Sequence, residues 1–194
     1  MKSITFLTVA SLAVACGDDA PSGSGVPTAE LSADLRQLRE EEKLARDTYR
    51  TLADVHSTEI FPNIADSEQS HMDAVGRLLT SYAVADPVTN DARGVFQSEE
   101  FVSLYADLVA QGKSSPQSAY VVGATVEELD IRDIRVMRGR TAEPDVLAVY
   151  DRLECGSRNH LRSFVRQLSG RFEPQFLTAA EVATIVGGAN ESCR

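Results

Sequence analysis

Residues 61–72 read FPNIADSEQSHM, and they place two polar side chains on an apolar helical face. Steps of three and four residues, the spacing of one face of an α-helix, connect Ile64, Glu68, His71, Val75 and Leu78. A carboxylate and an imidazole buried on such a face are costly unless a partner satisfies them. The segment therefore predicts a helix that contributes polar ligands to the interior of the protein.

Three further stretches repeat apolar residues with the same helical spacing. Glycine and proline, which interrupt helices, number only 12 and 7 in 194 residues, so an all-α chain is expected. Pro62 is predicted to be the first residue of its helix, because proline is favoured there. The four long predicted helices span residues 31–54, 62–82, 115–139 and 144–170.

The connections between these helices differ in length. The first and third are short, whereas about thirty residues separate the second (B) helix from the third (C) and contain a short helix between Ser98 and Gln111. Two antiparallel hairpins joined by one long crossover are the ferritin-like variant of the bundle. The predicted fold is therefore an all-α, ferritin-like four-helix bundle with a long B–C crossover containing a short helix. A last small helix is predicted from a capping box, Thr178 to Glu181.

Each long predicted helix carries at least one polar residue on its apolar face. They are Glu42 on the first helix, Glu68 and His71 on the second, Glu127 or Glu128 on the third, and His160 on the fourth. One such residue would mean little, but one on every helix indicates a shared partner in the centre. Carboxylates together with imidazoles suit iron, manganese or zinc. The helical period favours Glu127 over Glu128, and both are candidate ligands.

The fourth helix departs from the pattern of di-iron bundles, in which two helices carry Glu-x-x-His. The second helix has this motif from Glu68 to His71, whereas the fourth has Ser157 in place of the glutamate before His160. Ligand number and charge set the affinity for such metals. We therefore expect one metal position to have fewer carboxylate ligands than the other.

Four segments resemble a ferritin-like family named domain of unknown function 2202. They are residues 40–47 (EEEKLARD), 61–72, 127–131 (EELDI) and 156–162 (GSRNHLR), and the resemblance extends over residues 31–186. It implies a bundle with a di-metal centre, but it implies no reaction. Iron is the expected metal, with manganese or zinc as alternatives. Tyr49, seven residues after Glu42, resembles the tyrosine beside the site in many ferritins.

The beginning of the chain indicates export. Lys2 precedes an apolar run that is too short to span a bilayer and ends at Cys16, the residue that a lipoprotein signal would modify. The residues that follow are rich in Gly, Ser, Asp and Pro, as expected of a flexible tether. The predicted location is the cell envelope, with a lipid anchor in the membrane; cleavage after Ala15 without lipidation would make the protein secreted or periplasmic. The predicted division is a signal peptide over residues 1–16, a tether over 17–30, the bundle over 31–186 and a tail over 187–194.

The net charge of −10 argues against a general nucleic-acid-binding protein, because phosphate contacts need an excess of lysine and arginine. If Cys16 is lipidated, Cys155 and Cys193 remain, and in an oxidising compartment they can pair or stay as thiols. No Cys-x-x-Cys pair is present to form a rubredoxin-like electron donor, so a redox reaction would need an external one. His56, in the first connection, is expected to be solvated.

Two functions of different classes fit these residues. The first is an exported di-iron oxidoreductase, a ferroxidase or a peroxide-handling enzyme, in which the metal cycles between Fe(II) and Fe(III). The second is a non-catalytic lipoprotein of the cell envelope that binds a metal or docks a partner. The sequence indicates neither the substrate nor the oligomeric state.

Overall fold

In a computed structural model that describes residues 26–193, the chain forms six α-helices. They are α1 (Ala29–Val55), α2 (Ile60–Ser81), α3 (Glu99–Gly112), α4 (Pro116–Arg138), α5 (Pro144–Gln167) and α6 (Ala179–Gly187). The predicted all-α fold is confirmed. Of the helices within residues 26–193, none is long and apolar enough to cross a membrane. The predicted signal peptide, Cys16 and most of the tether lie outside the described residues.

The order in which the helices are connected places α2 and α4 parallel to each other. The end of α2 lies beside the start of α5, because Tyr82 donates a hydrogen bond of 2.7 Å to Asp145. The end of α4 lies beside the start of α1, where Arg140 forms an ion pair of 2.9 Å with Asp34. The long crossover, which contains α3, therefore carries the chain back along the bundle. The predicted ferritin-like connection order is confirmed.

Three predicted helix starts are confirmed by side chains that cap the backbone, namely Ser98, Ser115 and Thr178. However, α2 begins at Ile60 and not at Pro62, so this predicted start is wrong. Proline is tolerated within the first turn because the N–H groups there have no acceptor inside the helix. α5 ends at Gln167, before the predicted residue, and Gly170 follows with a φ of 75°.

Two apolar clusters fill the bundle, one toward each end. One contains Phe61 and Phe164, and the other contains Leu35 and Leu78. Burying side chains of this size stabilises the fold by roughly 1.5–3 kcal/mol each relative to exposing them. The polar residues of the predicted site lie between the two clusters along the helices, so apolar layers enclose them at both ends.

The segment after α6 is attached to α5. Cys193 forms a disulfide with Cys155, so the paired alternative is the one observed. Glu191 accepts hydrogen bonds from Arg158 at 2.9 Å and from Arg162 at 2.6 Å. The predicted tail is therefore held against the bundle both covalently and by charge.

Candidate metal centre

Five side chains from four helices meet in the middle of the bundle. They form two groups whose ligand atoms lie within 4.8 Å of one another: Glu42, Glu68 and His71 in one, and Glu68, Glu127 and His160 in the other. Glu68 belongs to both groups. The structure thus brings together five of the six residues proposed as ligands, and both groups could hold a metal ion.

The two oxygens of Glu68 face different imidazoles. Its Oε2 lies 2.8 Å from Nδ1 of His71, and its Oε1 lies 2.8 Å from Nδ1 of His160. Each imidazole has a second carboxylate near the same nitrogen: Glu42 at 3.3 Å from His71, and Glu127 at 3.4 Å from His160. The centre therefore consists of two similar halves that share Glu68.

The close approach of α2 and α5 depends on a glycine. A Cβ atom added to Gly156 would lie 2.7 Å from both Cε1 and Nε2 of His71. Glu68 and His71 are one helical turn apart, so they project from the same face of α2. Gly156 leaves room for the imidazole, whose Nδ1 then faces the carboxylates.

Several polar atoms of the centre are buried without a hydrogen-bond partner among residues 26–193. They are Oε1 of Glu42, both oxygens of Glu68 and Nδ1 of His160. The contacts of Glu68 with the imidazoles are short, but they do not have hydrogen-bond geometry. Such atoms are costly in a protein interior unless a cation or a proton satisfies them. Oxygen and imidazole donors in this arrangement fit a transition-metal ion.

Burial and mutual charge shift the acid–base properties of these groups. Burial raises the pKa of Glu42 and of Glu127 to about 7. Burial also opposes ionisation of Glu68, but the charges of His160 and His71 outweigh it and lower the pKa of Glu68. Burial would lower the pKa of His160, yet Glu68 and Glu127 raise it to about 10. In the metal-free protein, protons bound to these groups therefore provide the positive charge that metal ions would otherwise provide.

Tyr49 lies beside the centre, as predicted. Its hydroxyl donates a hydrogen bond of 2.5 Å to Oε1 of Glu127 and a longer one of 3.3 Å to the carbonyl of Gly123. Burial, followed by the charge of Glu127, raises the pKa of the phenol well above its usual range. Tyr49 therefore stays protonated and orients Glu127 toward His160.

Ser157 does not face the ligand groups. Its buried hydroxyl donates hydrogen bonds to Oδ2 of Asp130 and to the carbonyl of Leu153. Asp130 lies one turn after Glu127 on α4, is buried, and belongs to neither ligand group. The buried hydroxyl of Ser157 therefore contacts a carboxylate that comes from a different helix.

Glu128 is wrong as a ligand candidate, because its carboxylate does not face the centre. It accepts hydrogen bonds from the backbone N–H groups of Gln175 (2.9 Å) and Leu177 (3.3 Å), in the segment between α5 and α6. Two adjacent residues of a helix point about 100° apart, so Glu127 and Glu128 cannot serve the same site. Glu128 holds the chain after α5 against the bundle.

The acidic run on α1 is more deeply buried than its sequence indicated. Glu40 accepts backbone hydrogen bonds from Gln97 and Ser98 in the crossover. Glu41 is 2% exposed, and both of its oxygens lack a hydrogen-bond partner among residues 26–193. Burial, followed by the charge of Asp133, raises the pKa of Glu41 well above its usual range. The sequence feature that could have indicated this burial is the length of the crossover, because so long a connection must cover part of a helix.

A bundle with ferritin-like connections and a buried carboxylate–histidine centre is the class to which this fold and site correspond. The chain belongs to the family described as an uncharacterized protein domain, DUF2202, which matches residues 33–189. The resemblance predicted from the four sequence segments is confirmed.

Two further comparisons agree with this membership. The uncharacterized protein MJ0754 of Methanocaldococcus jannaschii is 46% identical over 160 residues, which cover 81% of this chain and 86% of that protein. The crystal structure of hypothetical protein MJ0754 from Methanococcus jannaschii matches with a TM-score of 0.84 at 43% identity. The structural match covers 90% of this chain and 100% of the crystallised one. The function has to be argued from the site itself.

Proposed function

We propose that the centre holds two metal ions, with iron as the expected metal, and that Glu68 would be a ligand of both. The observation that carries the proposal is that the two oxygens of Glu68 face different imidazoles without hydrogen-bonding to either. This arrangement is unfavourable for an isolated carboxylate, but it suits a ligand shared between two cations. Manganese or zinc would fit the same donors.

The two metal positions have the same donor set. Glu42 and His71 would complete one position, and Glu127 and His160 would complete the other. The expectation that Ser157 leaves one position poorer in carboxylates finds no support in this donor count. The halves differ in the residues around them, since the hydroxyl of Tyr49 donates a hydrogen bond to Glu127 and not to Glu42.

Iron bound in this centre would supply one-electron chemistry toward dioxygen or peroxide, as in a ferroxidase or a peroxide-handling oxidoreductase. The residues of the chain bind and orient the ligands and keep water away, because the three carboxylates are at most 1% exposed. Both cysteines within residues 26–193 are joined in a disulfide. The electrons would therefore come from an external donor.

The proposal includes a location in the cell envelope, with Cys16 as the lipidated anchor. The support is the signal-like sequence of residues 1–16. Changing Cys16 to Ser should move the protein from the membrane fraction to the soluble fraction. A wild-type protein that is already soluble would contradict the anchor without affecting the metal centre.

The metal centre can be tested by its stoichiometry. The wild-type protein, purified and loaded with Fe(II) without oxygen, should contain two metal ions per chain. Glu68→Gln should lose most of both metal ions, because it removes the shared ligand. Glu42→Gln should retain one metal ion per chain. Glu173→Gln, which removes an exposed carboxylate, is the control and should retain two.

Oxygen consumption on adding Fe(II) then separates the two functional classes. Uptake that Glu68→Gln abolishes supports an oxidoreductase, and stable metal without uptake supports a binding protein. Equal metal content in all the variants, or no metal in any of them, would overturn the proposed centre.

A further inference from the structure

A cleft with a volume of about 450 Å³ opens between α2 and α5. Its floor includes the imidazoles of His71 and His160, on the side of these residues away from the carboxylates. The cleft falls within the size range of small-molecule sites, roughly 300–1,000 Å³. The proposed metal centre uses none of this space, because Glu42, Glu68 and Glu127 do not line the cleft.

Two arginines on opposite walls of the cleft have no counter-ion among residues 26–193. Arg77 of α2 and Arg152 of α5 both line it, and neither guanidinium has an ion pair or a hydrogen bond within residues 26–193. Neighbouring arginines are paired: Arg138 with Asp151, and Arg158 with Glu191. Two unneutralised cations facing one cleft are unexpected in a chain whose net charge is −10.

Within residues 26–193, the acidic groups near the cleft do not form ion pairs with Arg77 or Arg152. Glu191, which lines it, is held by Arg158 and Arg162. Asp73 accepts a hydrogen bond from the amide of Gln69 at 3.0 Å. The positive charge of the arginine walls is therefore available to a ligand.

The antiparallel course of α2 and α5 places both arginines toward the same end of the cleft. His71 faces Gly156 across the gap, and from this pair the C-terminal direction of α2 and the N-terminal direction of α5 lead to the arginines. Ala74 and Leu153 line the cleft at intermediate positions. Starting from the arginine end, the cleft thus offers guanidinium groups, an apolar wall and then the imidazoles, with Ser67, Asn159 and Glu191 beyond them.

We propose that this cleft binds a small organic oxyanion, a carboxylate or a phosphate ester, with its charged group on Arg77 and Arg152. Guanidinium groups bind both kinds of oxyanion through paired N–H donors. The short uncharged part of the ligand lies along Ala74 and Leu153 and reaches the floor formed by His71 and His160. The assignment of this oxyanion as the substrate of the metal centre rests on the proposed function. Binding of the oxyanion requires only the cleft.

The test is calorimetric titration of the full chain, both metal-free and metal-loaded. The probes are butyrate and butyl phosphate, which carry the two kinds of oxyanion, and butyramide, which has the shape of butyrate without its charge. The variants are Arg77→Gln, Arg152→Gln and the double change. Arg171→Gln is the matched control, because Arg171 is an exposed arginine that does not line the cleft.

At least one oxyanion should bind to wild type and to Arg171→Gln with equal affinity, and butyramide should not bind. Each cleft substitution should weaken binding about tenfold, since a hydrogen bond to a charged group is lost. The tighter of the two oxyanions identifies the preferred head group. Equal affinity in all the variants, binding of butyramide as tight as that of butyrate, or no binding of either oxyanion would overturn the proposal.

Metal content measured on the same samples distinguishes failure of this proposal from failure of the metal centre. The double variant should retain its metal, because neither arginine is near the carboxylates. A wild-type protein without metal that still binds an oxyanion through the arginines would refute the metal centre and support the cleft. A protein that binds two metal ions but no oxyanion would support the metal centre and refute the proposed function of the cleft.

Discussion

Gly156 shows how a single residue without a side chain can determine the geometry of a polar centre. His71 approaches the backbone of α5 so closely that a methyl group at position 156 would contact its ring at 2.7 Å. Contacts this short require something to move, and the imidazole ring is rigid. The position of His71, and hence the position of its Nδ1 relative to Glu68, depends on this glycine.

Gly156→Ala should therefore weaken metal binding by about tenfold or more, although alanine is the better helix former. Gly76→Ala is the matched control on α2, because its Cβ would meet Arg39 at an ordinary distance of 3.5 Å. The control should raise the free energy of unfolding by about 0.5–1 kcal/mol through helix propensity and leave metal affinity unchanged. Metal titration and chemical denaturation measure the two effects. Equal metal affinity in both variants would show that His71 does not need the space at Gly156.

At the scale of elements, the crossover and α1 depend on each other. The acidic run on α1 contains one residue of the candidate metal centre and one that holds the crossover. Glu42 faces His71, whereas Glu40 accepts hydrogen bonds from the backbone N–H groups at the start of α3. Residues two positions apart in a helix point about 200° apart, so Glu40 and Glu42 contact different partners. Glutamates of one short segment thus have two separate roles.

Glu40→Gln should destabilise the protein by about 1–3 kcal/mol, because a buried charged acceptor of two backbone hydrogen bonds is weakened. Its metal stoichiometry should remain that of wild type. Glu42→Gln should show the opposite behaviour, with loss of one metal ion and little loss of stability in the metal-free state, since the pKa of Glu42 is already raised to about 7. Denaturation curves and metal analysis on both variants provide the comparison. Metal loss in Glu40→Gln would mean that the crossover and the centre are coupled.

For the molecule as a whole, the centre makes the stability of the metal-free protein dependent on pH. Burial raises the pKa of Glu42 and Glu127 from 4.5 to about 7, so between these values the folded state binds more protons than the unfolded state. The carboxylates near His160 raise its pKa from 6.5 to about 10, so its stabilisation is complete below pH 6.5 and is lost as the pH approaches 10. All three shifts act in the same direction.

The free energy of unfolding of the metal-free protein should therefore fall between pH 5 and pH 9, by on the order of 1 kcal/mol per pH unit for each proton involved. Metal binding must displace these protons, so the stabilisation by added metal should grow over the same range. Urea denaturation at pH 5, 7 and 9, with and without metal, measures both trends. Stability of the metal-free protein that is constant or rising with pH would contradict the assigned proton sites.

The sequence predicted the helices, their order and the five candidate ligands that meet in the centre: Glu42, Glu68, His71, Glu127 and His160. Helical period, capping residues and connection lengths are local properties, and a polar residue on an apolar face is visible without knowing its neighbours. The Glu-x-x-His motif on α2 places two candidate ligands on one face for the same reason.

What depended on tertiary structure was the identity of each residue's partner. His56 is buried rather than solvated, because its Nε2 lies 2.9 Å from the carbonyl of Gly112 at the end of α3. The pairing of Ser157 with Asp130 and the two free arginines on the cleft walls likewise bring together residues that are far apart in the chain. Such contacts depend on how the helices pack and where the crossover lies, and periodicity within one helix carries no information about either.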